Sequence, residues 1–189
     1  MKAKIVVRDA SPSDVPAIQE IYGHHVIHGR GSFEEAPPDA AEMRRRFEDV
    51  RALGLPYIVA VEKGRVLGYA YAGLYRTRPA YRFTVENSVY VRADRGGRGI
   101  GSMLLDELIR RCAAAGRRLM VAVIGDSRNV ASIALHARAG FRFSGVIRNV
   151  GYKHGLWLDT VIMELPLGEG ADTHPPAPAR RTAKKRGRA

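Results

Sequence analysis

Four glycines within six residues, Gly96, Gly97, Gly99 and Gly101, separate two stretches of opposite periodicity. Before them, residues 84–91 (Thr-Val-Glu-Asn-Ser-Val-Tyr-Val) carry the β-branched and aromatic side chains of a strand. After them, Ile100, Leu104, Leu108 and Cys112 recur every fourth residue, the spacing of one helix face, and Gly116 supplies a stop. A strand that turns into an amphipathic helix through so many glycines must pack that helix back on its own sheet. This limits the chain to an α/β architecture.

The remaining segments extend the alternation. Residues 4–8 read as an opening strand, and Ser13 is expected to cap a first helix with Pro16 in its first turn and Ile18, Ile21 and Tyr22 on one face. A second helix is predicted over residues 38–53 from Met43, Phe47 and Val50, ending at Gly54. Tyr57–Glu62 and Arg65–Leu74 alternate as strands, and Lys63-Gly64 between them suits a tight hairpin turn. Residues 119–124 form an apolar run expected to be a central strand buried on both faces. Residues 129–139 read as a short helix stopped by Gly140, and residues 141–150 and 156–165 as a closing hairpin. The order predicts one mixed central sheet of about six to seven strands flanked by about four helices. A chain of 189 residues closes such a core as one domain, expected over residues 1–167.

The formal net charge of +12 raises the question of an anionic partner. Arg180, Arg181, Lys184, Lys185, Arg186 and Arg188 against Glu169 and Asp172 place four of those charges between residues 168 and 189. That tail is rich in proline and alanine and is expected to be disordered. A solvated tail and weak adhesion to nucleic acid or a membrane surface both fit it, and no specific nucleic-acid partner is expected. No apolar run approaches the roughly 20 residues of a membrane span. The apolar stretch Ile5-Val6-Val7 stops at Arg8-Asp9, too soon for an export signal. His24, His25 and His28 invite a metal reading, but no Cys or carboxylate completes a ligand set, so no metal is expected. Cys112 is the single cysteine, which suits a reduced cytoplasmic setting.

The glycine-rich turn can bring successive backbone N–H groups against a pyrophosphate, with the helix N-terminus adding positive potential and Arg95 and Arg98 adding charge. It lacks the Lys-Ser/Thr of a P-loop, and its glycine spacing does not fit the dinucleotide fingerprint. A purely structural turn remains the alternative. Residues 95–101, Arg-Gly-Gly-Arg-Gly-Ile-Gly, resemble the acetyl-CoA pyrophosphate loop of the GNAT acetyltransferases, Gln/Arg-x-x-Gly-x-Gly/Ala. The first position of that pattern falls on Gly96, with Arg95 one residue earlier, so the backbone from Gly97 to Gly101 is expected to carry the grip. Residues 129–141, from Asn129 through His136 to Gly140-Phe141, are similar to the family's Asn-led helix beside the pantetheine arm. The blocks at residues 76–91 and 151–159 resemble the phosphinothricin and methionine sulfoximine N-acetyltransferases in particular.

The resemblance implies a GNAT fold, acetyl-CoA as cosubstrate, no metal, a small amino-acid-like acceptor and a homodimer. It implies cofactor contacts at Ser88, Val89, Tyr90, Val91, Gly96, Gly97, Arg98, Gly99, Ile100, Gly101 and Asn129. Acceptor contacts are expected from Arg76, Arg78, Tyr81, Val85, Glu86, Asn87 and Phe33, with the arginines gripping an acidic group. An α-amino group has a pKa near 8 and must lose a proton before it attacks a thioester. Glu86 is the first expected base and His136 the second; an ion pair of Glu86 with Arg82 and a packing role for His136 are the competing roles. Backbone N–H groups of residues 88–91 are expected to meet the developing oxyanion. Other acceptor amines, a non-catalytic acyl-CoA sensor and a basic nucleic-acid module are the competing functions.

Overall fold

The computed structural model describes residues 4–175. They form seven strands, β1 (Val6–Asp9), β2 (Tyr57–Glu62), β3 (Arg65–Leu74), β4 (Thr84–Val91), β5 (Leu119–Gly125), β6 (Arg142–Lys153) and β7 (Leu156–Pro166). The helices are α1 (Val15–His28), α2 (Ala40–Ala52), α3 (Ile100–Ala114) and α4 (Val130–Arg138). One sheet runs β1-β2-β3-β4-β5-β7-β6, with β4 and β5 the parallel pair and every other neighbour antiparallel. This is the mixed sheet and element order that the periodicity predicts.

Two tight turns follow from their residues. Lys63 and Gly64 (φ 50° and 78°) join β2 to β3, and His154 and Gly155 (φ 53° and 73°) join β6 to β7, both in the left-handed region that a two-residue hairpin requires. The start of α1 differs from expectation. Its N-cap is Asp14 and not Ser13, because a short 3₁₀ turn, Pro12–Asp14, precedes it and is capped by Ser11. The Asp14 carboxylate accepts from the Ser11 N–H and from Arg8, which holds its pKa down to about 2.

Strand alternation sorts the helices onto two faces. Tyr57, Tyr69, Tyr71 and Tyr90 stack on the face that meets Tyr22 of α1 and Phe47 of α2. Gly68 faces the other way, where an added Cβ would stand 2.7 Å from the Tyr90 oxygen and 3.2 Å from Leu104 of α3. Leu104, Leu105, Leu108 and Cys112 of α3 are fully buried against that second face. Truncating such a leucine to alanine costs about 2–5 kcal/mol. The expected disorder of residues 168–189 falls largely outside the described residues. Residues 168–175 form turns in which Arg118 donates to Glu169 (3.0 Å) and Thr173 (3.1 Å).

Candidate active site

The sheet opens in its middle. β4 and β5 pair from Thr84 with Leu119 up to Asn87 with Ala122, and there the pairing stops. Beyond that point β4 stays with β3 up to Val91, and β5 stays with β7 up to Gly125. The β5-facing backbone groups of residues 88–91 are thereby left unpaired by the sheet. His25 of α1 takes one of them, its Nε2 lying 2.8 Å from the Val91 oxygen. A cleft of about 1070 Å³ fills the gap. Because successive residues alternate, Glu86, Ser88 and Tyr90 face α1 and α2, while Asn87, Val89 and Val91 face α3 and α4. The opening therefore joins the two faces of the sheet.

On the α3 side, the glycine loop presents bare backbone. Gly97 (φ 73°) and Gly99 (φ 76°) take the left-handed conformation, and Gly99 is the N-cap of α3. The Met103 N–H closes the first helical turn on the Gly99 oxygen (3.0 Å), so the amides of Ile100, Gly101 and Ser102 point out of the helix end. A Cβ added at Gly96, Gly97 or Gly99 would meet nothing within 4 Å. The result is an open cradle of N–H groups with the positive end of a helix behind it, which fits a diphosphate. Arg95 lines the cleft. Arg98 turns away to Glu62 of β2 (2.7 Å) and is not among the lining residues. Asn129 caps α4, accepting from the Ser132 N–H (3.2 Å), and lines the same side. Gly101 packs on Leu135 (a Cβ there would lie 3.4 Å away), which fixes α4 beside the loop.

On the other face, Glu86 borders the gap, and its carboxylate forms no hydrogen bond or ion pair among the described residues. Burial pushes its carboxyl pKa above the ordinary value, against the opposing charge of Arg76. Arg82, the expected alternative partner, instead donates to the Pro79 oxygen and lies over the Phe83 ring. Asn87 is the last paired residue of β4 and bridges the junction, its Nδ2 donating to the Val121 oxygen (3.2 Å). That direction turns its Oδ1 to Nε2 of His136 (3.0 Å), whose Nδ1 lies 2.8 Å from the Ser132 oxygen. His136 is buried, with two acceptors for the single N–H of a neutral ring. Burial pushes its pKa below the imidazole value, and the Ser132 carbonyl pulls the other way.

The structure gathers Phe33, Glu86, Asn87, Ser88, Val89, Tyr90, Val91, the glycines of the loop, Asn129 and His136 around one cleft. Four expected acceptor contacts are not among the residues that line it. Arg76, Arg78 and Tyr81 sit on the exposed segment between β3 and β4, where Arg76 stacks on the Tyr75 ring at 4.3 Å. Val85 is fully buried in the core, so its side chain offers no surface to a ligand. Local patterning gives no sign of several lining residues: His25, Arg30 and Gly31 around the end of α1, and Asp126, Arg128 and Arg138 around α4. Among the described residues no group of three His, Cys, Asp or Glu side chains is placed to hold a metal. No described helix is long and apolar enough to cross a membrane.

Residues 19–141 match the acetyltransferase (GNAT) family. A phosphinothricin N-acetyltransferase of Alcaligenes faecalis is 53% identical over 170 residues, which span 90% of this chain and 85% of that one. An L-methionine sulfoximine/L-methionine sulfone acetyltransferase of Pseudomonas aeruginosa is 44% identical over 162 residues, 85% of this chain and 94% of that one. Among solved structures, a phosphinothricin acetyltransferase of the GNAT superfamily from Sinorhizobium meliloti in complex with acetyl-CoA superposes with a TM-score of 0.90. It is 46% identical, over 97% of this chain and 98% of that one.

Proposed function

The chain belongs to the acetyltransferase (GNAT) family and is an acetyl-CoA-dependent N-acetyltransferase, and from that premise we propose that its acceptor is a small amino acid or analogue of the phosphinothricin or methionine sulfoximine type. The observation that carries the proposal is Glu86: a half-buried carboxyl with no partner among the described residues, on the α1–α2 face of the sheet, beside the gap that leads to the glycine loop on the α3 face. Acceptor and cosubstrate would approach from opposite faces and meet where β4 leaves β5.

Acetyl-CoA supplies an acyl thioester. The N–H groups of Gly97 to Gly101, at the end of α3, would hold its pyrophosphate, with Arg95 adding charge and Asn129 standing beside the pantetheine. Unpaired N–H groups of residues 88–91 would stabilise the charge that develops on the thioester oxygen. Glu86 would hold the acceptor ammonium and take its proton, directly or through water, which its raised pKa favours. We assign His136 to holding Asn87 at the last paired position of β4, since its Nε2 stands 3.0 Å from the Asn87 Oδ1 and donates to it in the tautomer that carries the proton there. Arg76 acts on Glu86 through its charge, and Arg76 and Arg78 would meet the acidic group of the acceptor from the β3–β4 segment.

The reading extends to a second copy of the chain. β6 ends the sheet, and on the β6–β7 hairpin Phe143, Ile147, Val150, Tyr152 and Trp157 are all about half exposed or more. An apolar edge of this kind calls for cover, and an identical edge supplies it in a homodimer. A cytoplasmic setting suits Cys112, whose buried thiol has its pKa pushed up to about 12.

The test is thiol release from acetyl-CoA across phosphinothricin, methionine sulfoximine, free amino acids and polyamines. Turnover restricted to the acidic amino-acid analogues supports the proposal. Turnover with polyamines alone would replace the acceptor class, and none with any amine would overturn it.

A further inference from the structure

The acceptor half of the cleft is walled by the loop between α1 and α2, and that loop is held from a distance. A Cβ on Gly125 of β5 would lie 2.6 Å from the Arg30 oxygen and 2.9 Å from the Gly31 oxygen, so the loop backbone lies directly on the end of β5. Tyr22 Oη is 2.9 Å from Ser32 Oγ and donates to Glu34 at 2.9 Å, and Arg46 of α2 donates to the same carboxylate at 2.6 Å. From β6, the buried Lys153 donates to the Ser32 oxygen at 2.7 Å. Lys153 is only 3% exposed, and among the described residues the Ser32 oxygen is the one acceptor its ammonium meets.

Phe33 follows Ser32, lines the cleft and remains 39% exposed. Its ring lies on Gly151 of β6, where an added Cβ would stand 2.5 Å from Cε2 and 2.6 Å from Cδ2. Real Cβ atoms do not approach carbon so closely, so one of the two must move. Gly151 pairs with Leu158 of β7 and does not take a positive φ, so the backbone there does not itself demand glycine. The ring, at the end of a partly exposed side chain, is the part free to give way.

We infer that Gly151 is a specificity-determining residue: the absence of a side chain there sets where the Phe33 ring stands, and with it the width of the acceptor half of the cleft. The inference rests on the proposed acceptor reading. Gly151 itself lines no part of the cleft, so its effect passes through Phe33. A methyl group on Gly151 drives the ring off β6 and changes the room left for an acceptor beside Glu86. The glycine loop lies on the other face and is untouched.

The experiment is a double-mutant cycle on the full chain, with Gly151→Ala, Phe33→Ala and both together. The readouts are KM for methionine sulfoximine and calorimetric affinity for coenzyme A. The expected result is a several-fold change in KM on Gly151→Ala, with coenzyme A affinity within twofold of wild type, and no effect of Gly151→Ala once Phe33 is alanine. An equal effect in both backgrounds, an unchanged KM, or a matching loss of coenzyme A binding would overturn the inference. A wild-type enzyme that binds coenzyme A and ignores methionine sulfoximine and phosphinothricin alike would overturn the acceptor reading instead.

Discussion

At the scale of single residues, the site is a set of groups kept deliberately unpaired or deliberately locked. Among the described residues the Glu86 carboxyl has no partner, and only the field of Arg76 opposes its burial. Arg76→Ala removes that field, so the Glu86 pKa rises further and the acidic limb of the kcat/KM profile moves to higher pH. In the same variant KM for an acidic acceptor is expected to rise by more than about tenfold through the lost guanidinium contact. A pH profile identical to wild type would contradict the coupling. His136 is the opposite case, buried with its Nε2 3.0 Å from the Asn87 Oδ1 and its Nδ1 2.8 Å from the Ser132 oxygen. In His136→Phe, which keeps the packing against Phe141, turnover is expected to fall while the acidic limb stays in place, because Asn87 loses its support. Disappearance of a limb would show that the imidazole carries protons itself.

At the scale of elements, the cradle proposed for the cosubstrate is the N-terminus of α3, and its geometry depends on Gly99 in the left-handed region. Alanine there costs roughly 1–2 kcal/mol of backbone strain. Gly99→Ala is expected to weaken coenzyme A binding about tenfold by titration calorimetry and to lower Tm by only a few degrees; an unchanged affinity would remove the loop from the site. The elements themselves were legible from periodicity and turn chemistry, since Gly54, Gly116 and Gly140 all stop helices with positive φ as expected. The cap of α1 was not, because Ser11 and Arg8 compete for Asp14 through contacts that the helical pattern does not contain. Nor was the character of β5. Its apolar run reads as buried on both faces, yet Val123 is 38% exposed because β4 has left its side by then. Periodicity reports which way a side chain points, and it is silent on where two strands part.

At the scale of the whole molecule, the site is assembled across the entire chain: α1 and its loop, the middle of the sheet, the starts of α3 and α4, and the closing hairpin. The glycine loop and Glu86 were recognisable because each sits inside a compact motif. Phe33 with Gly151, and Lys153 with Ser32, join residues more than a hundred positions apart, and no local signal marks them. The same hairpin bears the exposed apolar edge. Light scattering on the eluting protein is expected to give twice the chain mass, and Trp157→Lys to shift it toward a single chain; a wild-type monomer would refute the dimer. The most direct test of the central claim is the rate of thiol release by Glu86→Gln at saturating acetyl-CoA and phosphinothricin, near neutral pH. A Glu86 that frees the attacking amine requires a drop of at least about tenfold from wild type, whereas an undiminished rate would contradict it.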